Sequence, residues 1–500
     1  MFHNKEHTKQ TKMKNQKILH DKESNFWDWY LWILKVAQIL DTNYSVKGCY
    51  IWLDYGFQLY NRIYSFAKEI YEKFGHKQMQ FPTLIKEETF RKETNFIRDF
   101  EDDVFWVDRS GQKKLTDGER LALRPTSELI IYPSFARWIR SWRDLPLKIF
   151  QNVSIFRCET NETRPLIRNR ETIGFIEGHS AFQTKEEALS FLEQIWLMYK
   201  QLFAKLGIPI ILVDVPEWDR FSGSSLTIDG YVLFPGSKAM ELFTSAYLGT
   251  TFSEIFNIQY VDIEKNKQHA HLLCYGPSID RILASVIALY GDNHGLVLQS
   301  NLSPFDFALV SIYNRKNTEE IKQYTSEICS KLTKIGFNIL LDQDNNKTPG
   351  AKFYEMERYG IPYRIEIGQN EYSHRNLTLT RRDNFEKVRL KFDSKSLKKN
   401  LRNLLKEYDE TIKQHTTEKF NKSLISITSY NHLEILVNSN QLQKDKMYLF
   451  GWCGSLECAE TLETLTNFTI LGYNHKTKNN EQLCMLCKNK GKEAILAKRY

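Results

Sequence analysis

Phe156-Arg-Cys-Glu-Thr-Asn-Glu-Thr-Arg-Pro-Leu-Ile-Arg-Asn-Arg-Glu171, followed by Phe175-Ile-Glu-Gly-His179, sets Arg157, Arg164, Arg168 and Arg170 among Glu159, Glu162 and Glu171. Residues Gln151–Glu159 alternate as a strand does. Val153, Ile155, Arg157 and Glu159 fall on one side and Ser154, Phe156 and Cys158 on the other, so Arg157 and Glu159 are expected to point the same way. Thr163-Arg164-Pro165 predicts a turn or loop before a return strand. A hairpin of this kind aims several guanidinium forks at one polyanion, which suits triphosphate chemistry. The same charges would equally suit a solvated hairpin laced with surface ion pairs. Spacing alone does not choose between the two.

Working outward, 500 residues allow two to four domains. A hydrophobic share of 42% and a charged share of 26% are ordinary for a globular protein. A net charge of +8 permits a nucleic-acid partner without demanding one. With no apolar run near about eighteen residues and no signal peptide, no membrane association is expected and the compartment is expected to be the cytoplasm. Cys49, Cys158, Cys274 and Cys329 are scattered, as reduced thiols are, whereas Cys453-x4-Cys458 and Cys484-x2-Cys487 pair up as ligands for one tetrahedral zinc.

Residues 1–24 read as a disordered basic tail, either solvated slack or an RNA-contacting arm. Ser24 is the expected N-cap of a helix with Phe26, Trp29, Tyr30, Ile33, Leu34 and Ala37 on its apolar face. A second amphipathic helix is expected over Phe57–Phe74, closed by Gly75, ahead of Met79-Gln-Phe-Pro82. In Leu121-Ala-Leu-Arg-Pro-Thr-Ser-Glu128 a strand breaks at Pro125, and Thr126 could cap the helix that follows. A helix over Lys185–Leu206 and strands over Pro209–Val213 and Met240–Gly249 come next. Cys274-Tyr-Gly-Pro-Ser-Ile-Asp-Arg281 then feeds a helix that holds Arg281 near its start, where an arginine can clamp phosphates. Residues 305–395 alternate strands and helices, an α/β unit with a largely parallel sheet. Residues 396–445 read as a helical connector.

The opening stretch closely resembles motif 2 of class II aminoacyl-tRNA synthetases in the prolyl-tRNA synthetase form, archaeal/eukaryotic-like branch. The likeness spans roughly residues 25–500, ends at the shared terminal Tyr500, and takes in Glu177-x-His179, Pro216-Glu-Trp-Asp-Arg-Phe221, a motif 3 at Cys274–Arg281, and Pro349-Gly-x-Lys352 through Arg364 and Thr380-Arg-Arg-Asp383. It implies an α+β protein. A class II antiparallel sheet flanked by helices over 25–303 is followed by an α/β anticodon-binding domain over 304–395 and a small zinc-bearing α/β domain over 396–500. The helix and strand ending at Pro82 resemble motif 1, which implies a homodimer. The stretch between Glu177 and Cys274 is filled by recognisable elements, which leaves no room for an editing insertion.

The implied activity is ATP-dependent ligation of L-proline to tRNA(Pro) through a prolyl-adenylate, with Mg2+ accompanying ATP. By resemblance Arg157, Glu159 and Arg281 carry the chemistry, and Arg157, Arg168, Glu241, Thr244 and Arg281 bind ATP. Thr126, Glu128, Arg157, His179 and Ser278 read proline, one hydroxyl and one carboxylate accepting the two protons of its secondary ammonium. Lys352, Glu357, Arg364 and Arg382 are expected near the anticodon, where arginine suits the O6/N7 edge of guanine.

The chain also departs from the family. Glu241 stands for Gln, Leu242-Phe243 for two small residues and Ala246 for His, which predicts added bulk and a lost ring in the pocket. One extra residue between Gly276 and Arg281 is expected to shift Ser278 and Arg281, and Gln299-Ser300 replaces paired prolines. These changes raise two alternatives: a weak or inactive paralogue serving as a tRNA-binding module, and a ligase of the same fold for another amino acid.

Overall fold

The computed structural model describes residues 20–91, 103–116, 118–159, 162–313, 318–342, 344, 346–477 and 479–500. The basic tail expected over 1–24 lies outside the described residues up to 19. Residues 20–24 are not loose. The Lys22 backbone N–H donates to Asn293 Oδ1 at 2.9 Å, and its ammonium donates to Gly291 O at 2.6 Å and sits 4.8 Å from the Trp29 ring. Asn25, not Ser24, caps the Phe26–Val36 helix by accepting the Asp28 N–H, because Ser24 is spent on Asp21.

The second helix runs Asp54–Lys73 and buries Tyr55, Leu59, Tyr60, Ile63, Ala67, Ile70 and Tyr71, spaced three or four apart along one face. Gly75, at φ 85°, closes it in the left-handed conformation that spares glycine a steric cost. This helix packs with Lys185–Lys205 and Ile279–Tyr290 on one side of a long sheet.

Among the described residues that sheet has 12 strands. Its centre runs Ile211–Asp214, Leu226–Leu233, Ala239–Gly249, His271–Pro277, Glu171–Phe182 and Leu147–Phe156, every neighbour antiparallel. Two close approaches hold it tight. A Cβ at Gly276 would meet Ile176 O at 1.9 Å, and one at Gly178 would enter the Tyr275 ring at 2.2 Å.

The C-terminal strands continue this sheet. Thr469–Asn474 pairs with Ile211–Asp214, and Lys490–Ala497, Met447–Trp452 and Leu424–Ser426 follow outward. The chain end is stitched back as well: Ala239 N–H donates to Lys498 O at 2.8 Å and Tyr500 N–H to Ala239 O at 3.1 Å. The expected connector over 396–445 is helical over Leu397–Lys422 and Tyr430–Asn438, with the strand Leu424–Ser426 between.

The 305–395 unit has a five-stranded sheet in the order Ile339–Leu341, Phe307–Ser311, Tyr363–Ile367, Asn376–Arg381, Lys387–Lys391. The first two pairings are parallel and the last two antiparallel, so the sheet is mixed rather than largely parallel. The antiparallel half follows from the short connections around 368–375 and 382–386, too short for a parallel crossover. Gln299 and Ser300, where the family has prolines, act as polar anchors. Gln299 Nε2 donates to Tyr290 Oη at 3.0 Å, and the Ser300 N–H and hydroxyl both donate to Asp409 on the long helix. Among the described residues no helix is long and apolar enough to cross a membrane.

Candidate active site

A cavity of about 340 Å³ opens on the sheet face away from those helices. It is lined by Thr126, Glu128, Arg157, Glu159, Arg168, Glu241, Thr244, Ser278 and Arg281 among others. Residues far apart in sequence converge there because the antiparallel register sets the loop after Phe156 beside the start of the Ile279–Tyr290 helix.

The strand that carries Arg157 ends earlier than its alternation suggests, at Phe156. Arg157 N–H donates to Arg170 O at 3.0 Å and Cys158 N–H to Asp103 O at 2.7 Å. Glu159 then turns into the left-handed region at φ 37°. Arg157 and Glu159 therefore do not share a strand face, yet both line the cavity as expected, and the turn brings Glu159 Oε2 to 3.6 Å from Arg168 Nε. Arg164 is drawn away from the cavity, stacked 4.1 Å from the Trp27 ring and paired with Glu162 at 2.7 Å. Arg157 also donates to Pro125 O at 3.3 Å. Burial first, and then the neighbouring Arg281 cation, lower its affinity for its proton. Two guanidinium groups facing one cavity, in mutual repulsion, are poised for an anion.

The strand before Arg281 runs to Pro277, which pairs with Phe243, and Arg281 lines the cavity. Arg281 donates to Ile167 O at 3.2 Å and Glu241 O at 3.0 Å and lies 3.5 Å from Glu241 Oε1. Ser278 lines the cavity, but its hydroxyl caps the helix by accepting the Arg281 N–H at 3.3 Å. Leu242 is on the cavity wall. Phe243 is not: strand alternation turns it to the opposite face, where it lies over Gly230 and 4.2 Å from the Tyr199 ring. The predicted added bulk thus comes from Leu242 alone. Thr244 donates to Asp229 Oδ1 at 2.8 Å, and burial, then Glu241, hold the Asp229 carboxyl well above the usual carboxylate range.

On the other side, Thr126 does not cap a helix. The helix begins at Glu128 behind Ser127, and the Thr126 hydroxyl donates to Glu128 Oε2. Cys274 Sγ donates to Glu128 Oε1 at 2.8 Å. His179 does not line the cavity. It is fully buried beside Glu128, with Nδ1 3.3 Å from Tyr132 Oη, and burial lowers it to about 4, so the ring is neutral. Glu177 accepts from Gln151 Nε2 at 2.8 Å; burial and the charge of Glu128 raise it to about 7.

Asp280, beside Arg281, accepts from Asn169 Nδ2 at 2.8 Å and Gly174 N–H at 3.3 Å, and burial pushes its carboxyl up to about 7. A carboxyl with a folded pKa above its unfolded value binds more protons in the folded state. Its contribution is complete below about pH 4 and is lost as pH rises through about 7. Asp280→Asn, neutral throughout, is expected to flatten that part of the profile. Urea unfolding at pH 5 and pH 8 measures it: the stability lost between the two should be smaller in the variant, and an unchanged loss would contradict this placement.

The residues expected near the anticodon are all buried and paired within the protein. Lys352 meets Asp342 at 2.5 Å, Arg364 bridges Glu357 and Glu366 at 2.9 Å each, and Arg382 grips Asp292 with contacts of 2.8 and 2.6 Å. As arranged, they present no free fork to a base; Arg382 instead ties this unit to the loop after the Ile279–Tyr290 helix. The Cys453, Cys458, Cys484 and Cys487 Sγ atoms all lie within 4.8 Å of one another, Cys453 and Cys487 at 3.6 Å. That spacing fits a tetrahedron with metal–sulfur bonds of about 2.3 Å.

Sequence reasoning passed over Asp229, Cys274, Asp219 and Arg499, all on the cavity wall. Arg499 pairs with Asp219 at 2.6 Å. The one signal for it was the terminal Lys-Arg-Tyr500, whose tyrosine hydroxyl bonds Ser237.

Three family models match the chain: the tRNA synthetase class II core domain (G, H, P, S and T) over 105–290, the anticodon binding domain over 308–402, and the prolyl-tRNA synthetase C-terminal domain over 439–500. The proline--tRNA ligase of Methanopyrus kandleri is 37% identical over 477 residues, covering 95% of this chain and 96% of that protein. That of Saccharolobus islandicus is 36% identical over 496 residues, covering 97% and 100%. A Giardia lamblia prolyl-tRNA synthetase in complex with prolyl-adenylate superposes with a TM-score of 0.89 at 31% identity, covering 96% of this chain and 99% of that one. A Cryptosporidium parvum prolyl-tRNA synthetase complexed with L-proline and AMP gives 0.87 at 28%, covering 96% and 99%.

Proposed function

Because the chain belongs to the proline--tRNA ligases, class II aminoacyl-tRNA synthetases, we propose that the cavity activates L-proline with ATP and passes it to tRNA(Pro) as follows. The proline carboxylate attacks the α-phosphate in line, its oxygen bonding to phosphorus as pyrophosphate leaves. The ribose hydroxyl at the tRNA 3′ end then attacks the acyl carbon of the prolyl-adenylate and AMP departs. Neither step needs a nucleophilic side chain, so the rate comes from positioning and from charge neutralisation.

Arg157 bridges the α-phosphate and the carboxylate, where charge builds in the transition state. Arg168 and Arg281 take the phosphate tail, with Thr244 beside it. Glu159 and Glu241 are the acidic groups that would hold the Mg2+ accompanying ATP, which shields the phosphates from one another. Thr126 and Glu128 accept the two ammonium protons of proline; His179 acts from behind Glu128, and Ser278 fixes the helix that carries Arg281. The division into a catalytic unit (25–303), an anticodon unit (304–395) and a C-terminal unit (396–500), a homodimeric assembly and a cytoplasmic location belong to the same reading. So does anticodon contact around Lys352, Glu357, Arg364 and Arg382, which requires these residues to exchange partners when tRNA docks.

The observation that carries the proposal is the convergence of Arg157 and Arg281 on one side of the cavity with Thr126 and Glu128 on the other. Charging of a tRNA(Pro) transcript with labelled proline tests it. Acid-precipitable prolyl-tRNA that depends on ATP is expected; binding of the transcript without charging would favour a tRNA-binding module.

The four clustered cysteines would hold Zn2+, which supplies a cross-link and no chemistry. Cys484→Ser is expected to lower the melting temperature by at least about 5 °C. It should also raise the KM for ATP, since the C-terminal strands continue the main sheet and Arg499 reaches the cavity. An unchanged melting curve on zinc removal would contradict a structural ion.

A further inference from the structure

At one wall of the cavity, which Glu128 and Cys274 line and behind which His179 lies, three unlike donors meet. A ring nitrogen of His179, a carboxylate oxygen of Glu128 and Cys274 Sγ all lie within 4.8 Å of one another. His179 and Cys274 are register partners on adjacent strands, so the sheet itself fixes their separation. On the next strand Cys274 faces Ala246, whose small side chain leaves the thiol open toward the cavity that both line.

One feature of the histidine points to a ligand. Nδ1 is engaged with Tyr132 Oη, whereas Nε2 is buried and has no hydrogen-bond partner among the described residues. A neutral imidazole with one nitrogen held by a neighbour and the other unused is the arrangement of metal-binding histidines. An orphaned buried ring nitrogen is otherwise a cost without return.

We infer that Glu128, His179 and Cys274 form a binding site for Zn2+ or a like divalent transition metal, with its fourth position open to the cavity, and that metal and proline exclude each other there. Thiolate, imidazole and carboxylate are a zinc donor set, and three protein ligands leave one tetrahedral position free. In binding, the S–H bond of Cys274 breaks, its proton leaves to solvent and a metal–sulfur bond forms. The two ligand anions then cancel the ion's charge in a dry site. The exclusion follows from Glu128. A carboxylate oxygen bound to a metal has its charge taken up by the ion and accepts an ammonium proton far more weakly, and a cation beside it repels a second one. This part rests on the proposed role of Glu128 toward proline.

Cobalt(II) is the probe, added to protein whose C-terminal cysteines have first been filled with zinc, which cobalt does not displace. A thiolate-to-cobalt charge-transfer band is expected. Saturating proline should bleach it, and Cys274→Ser should abolish it, with cobalt binding weakened roughly tenfold or more. His179→Gln is the second variant and should weaken binding likewise. No band in the wild-type protein, a band that survives Cys274→Ser, or one indifferent to proline would overturn the inference. Proline-dependent pyrophosphate exchange, with Mg2+ present and no cobalt added, is run alongside. Exchange without the band defeats the metal site and leaves the proposed function standing; the band without exchange does the reverse.

Discussion

Replacing Arg157 with alanine is expected to lower kcat for adenylate formation about a thousandfold while leaving the KM for proline within a few-fold of the wild type. The expected effect is differential. In the proposed mechanism Arg157 would face the point where negative charge concentrates as the carboxylate meets the α-phosphate, so its contact would strengthen toward the transition state, and only such contacts raise the rate. Removing one preorganised donor from a water-poor site costs about 3–4 kcal/mol. Here the loss sits toward the upper end because the group is a charged fork, partly desolvated and held by its backbone bond to Arg170 O at 3.0 Å. Arg157→Lys should recover little, since a point charge cannot bridge two oxygens as a fork does. Single-turnover formation of prolyl-adenylate reads this directly. A variant that loses only ATP affinity would assign Arg157 to binding rather than to the chemical step.

The second large effect is expected at Glu128. Glu128→Gln keeps the shape, and with it a partner for Thr126 and Cys274, but removes the charge that is proposed to accept an ammonium. Hydrogen bonds to a charged partner contribute about 1.5–3 kcal/mol, so the KM for proline should rise roughly a hundredfold with kcat changed far less. A second consequence distinguishes a charge role from a shape role. Burial and the Glu128 charge together raise Glu177 to about 7. In the variant one of those causes is gone and Glu177 should titrate lower. A pH profile of kcat/KM that keeps its shape would argue that the two carboxyls do not sense each other.

Most of the polar machinery was legible because it sits in short, contiguous strings: Thr126-Ser-Glu128, Phe156–Glu171, Glu177-Gly-His179 and Ser278–Arg281. What a string cannot carry is the side of the sheet on which a residue falls. Arg157 and Glu159 alternate like strand residues, but the strand stops at Phe156 and a left-handed turn re-aims Glu159. Phe243 reads as pocket bulk next to Leu242, but it packs on the helix face because Gly230 leaves it room. The segment before Arg281 reads as damaged, yet it forms a strand that pairs as far as Pro277.

Charge partners were the other blind spot. Lys352, Glu357, Arg364 and Arg382 look like a recognition surface in sequence, whereas their counter-charges, Asp342, Glu366 and Asp292, are dispersed along the chain and meet them only in the fold. The continuation of the main sheet into the C-terminal strands is a tertiary pairing of the same kind, with no local signal near Thr469–Asn474.

The central claim is that this cavity, with Ala246 and Leu242 as they stand, still selects and activates proline. ATP–pyrophosphate exchange on the purified protein, with proline, alanine and cysteine each as the only amino acid, tests it most directly. Exchange with proline at least about a hundredfold more efficient than with either of the others, measured as kcat/KM, is the predicted result. Exchange driven by alanine or cysteine and not by proline would contradict it and make the altered strand a specificity switch.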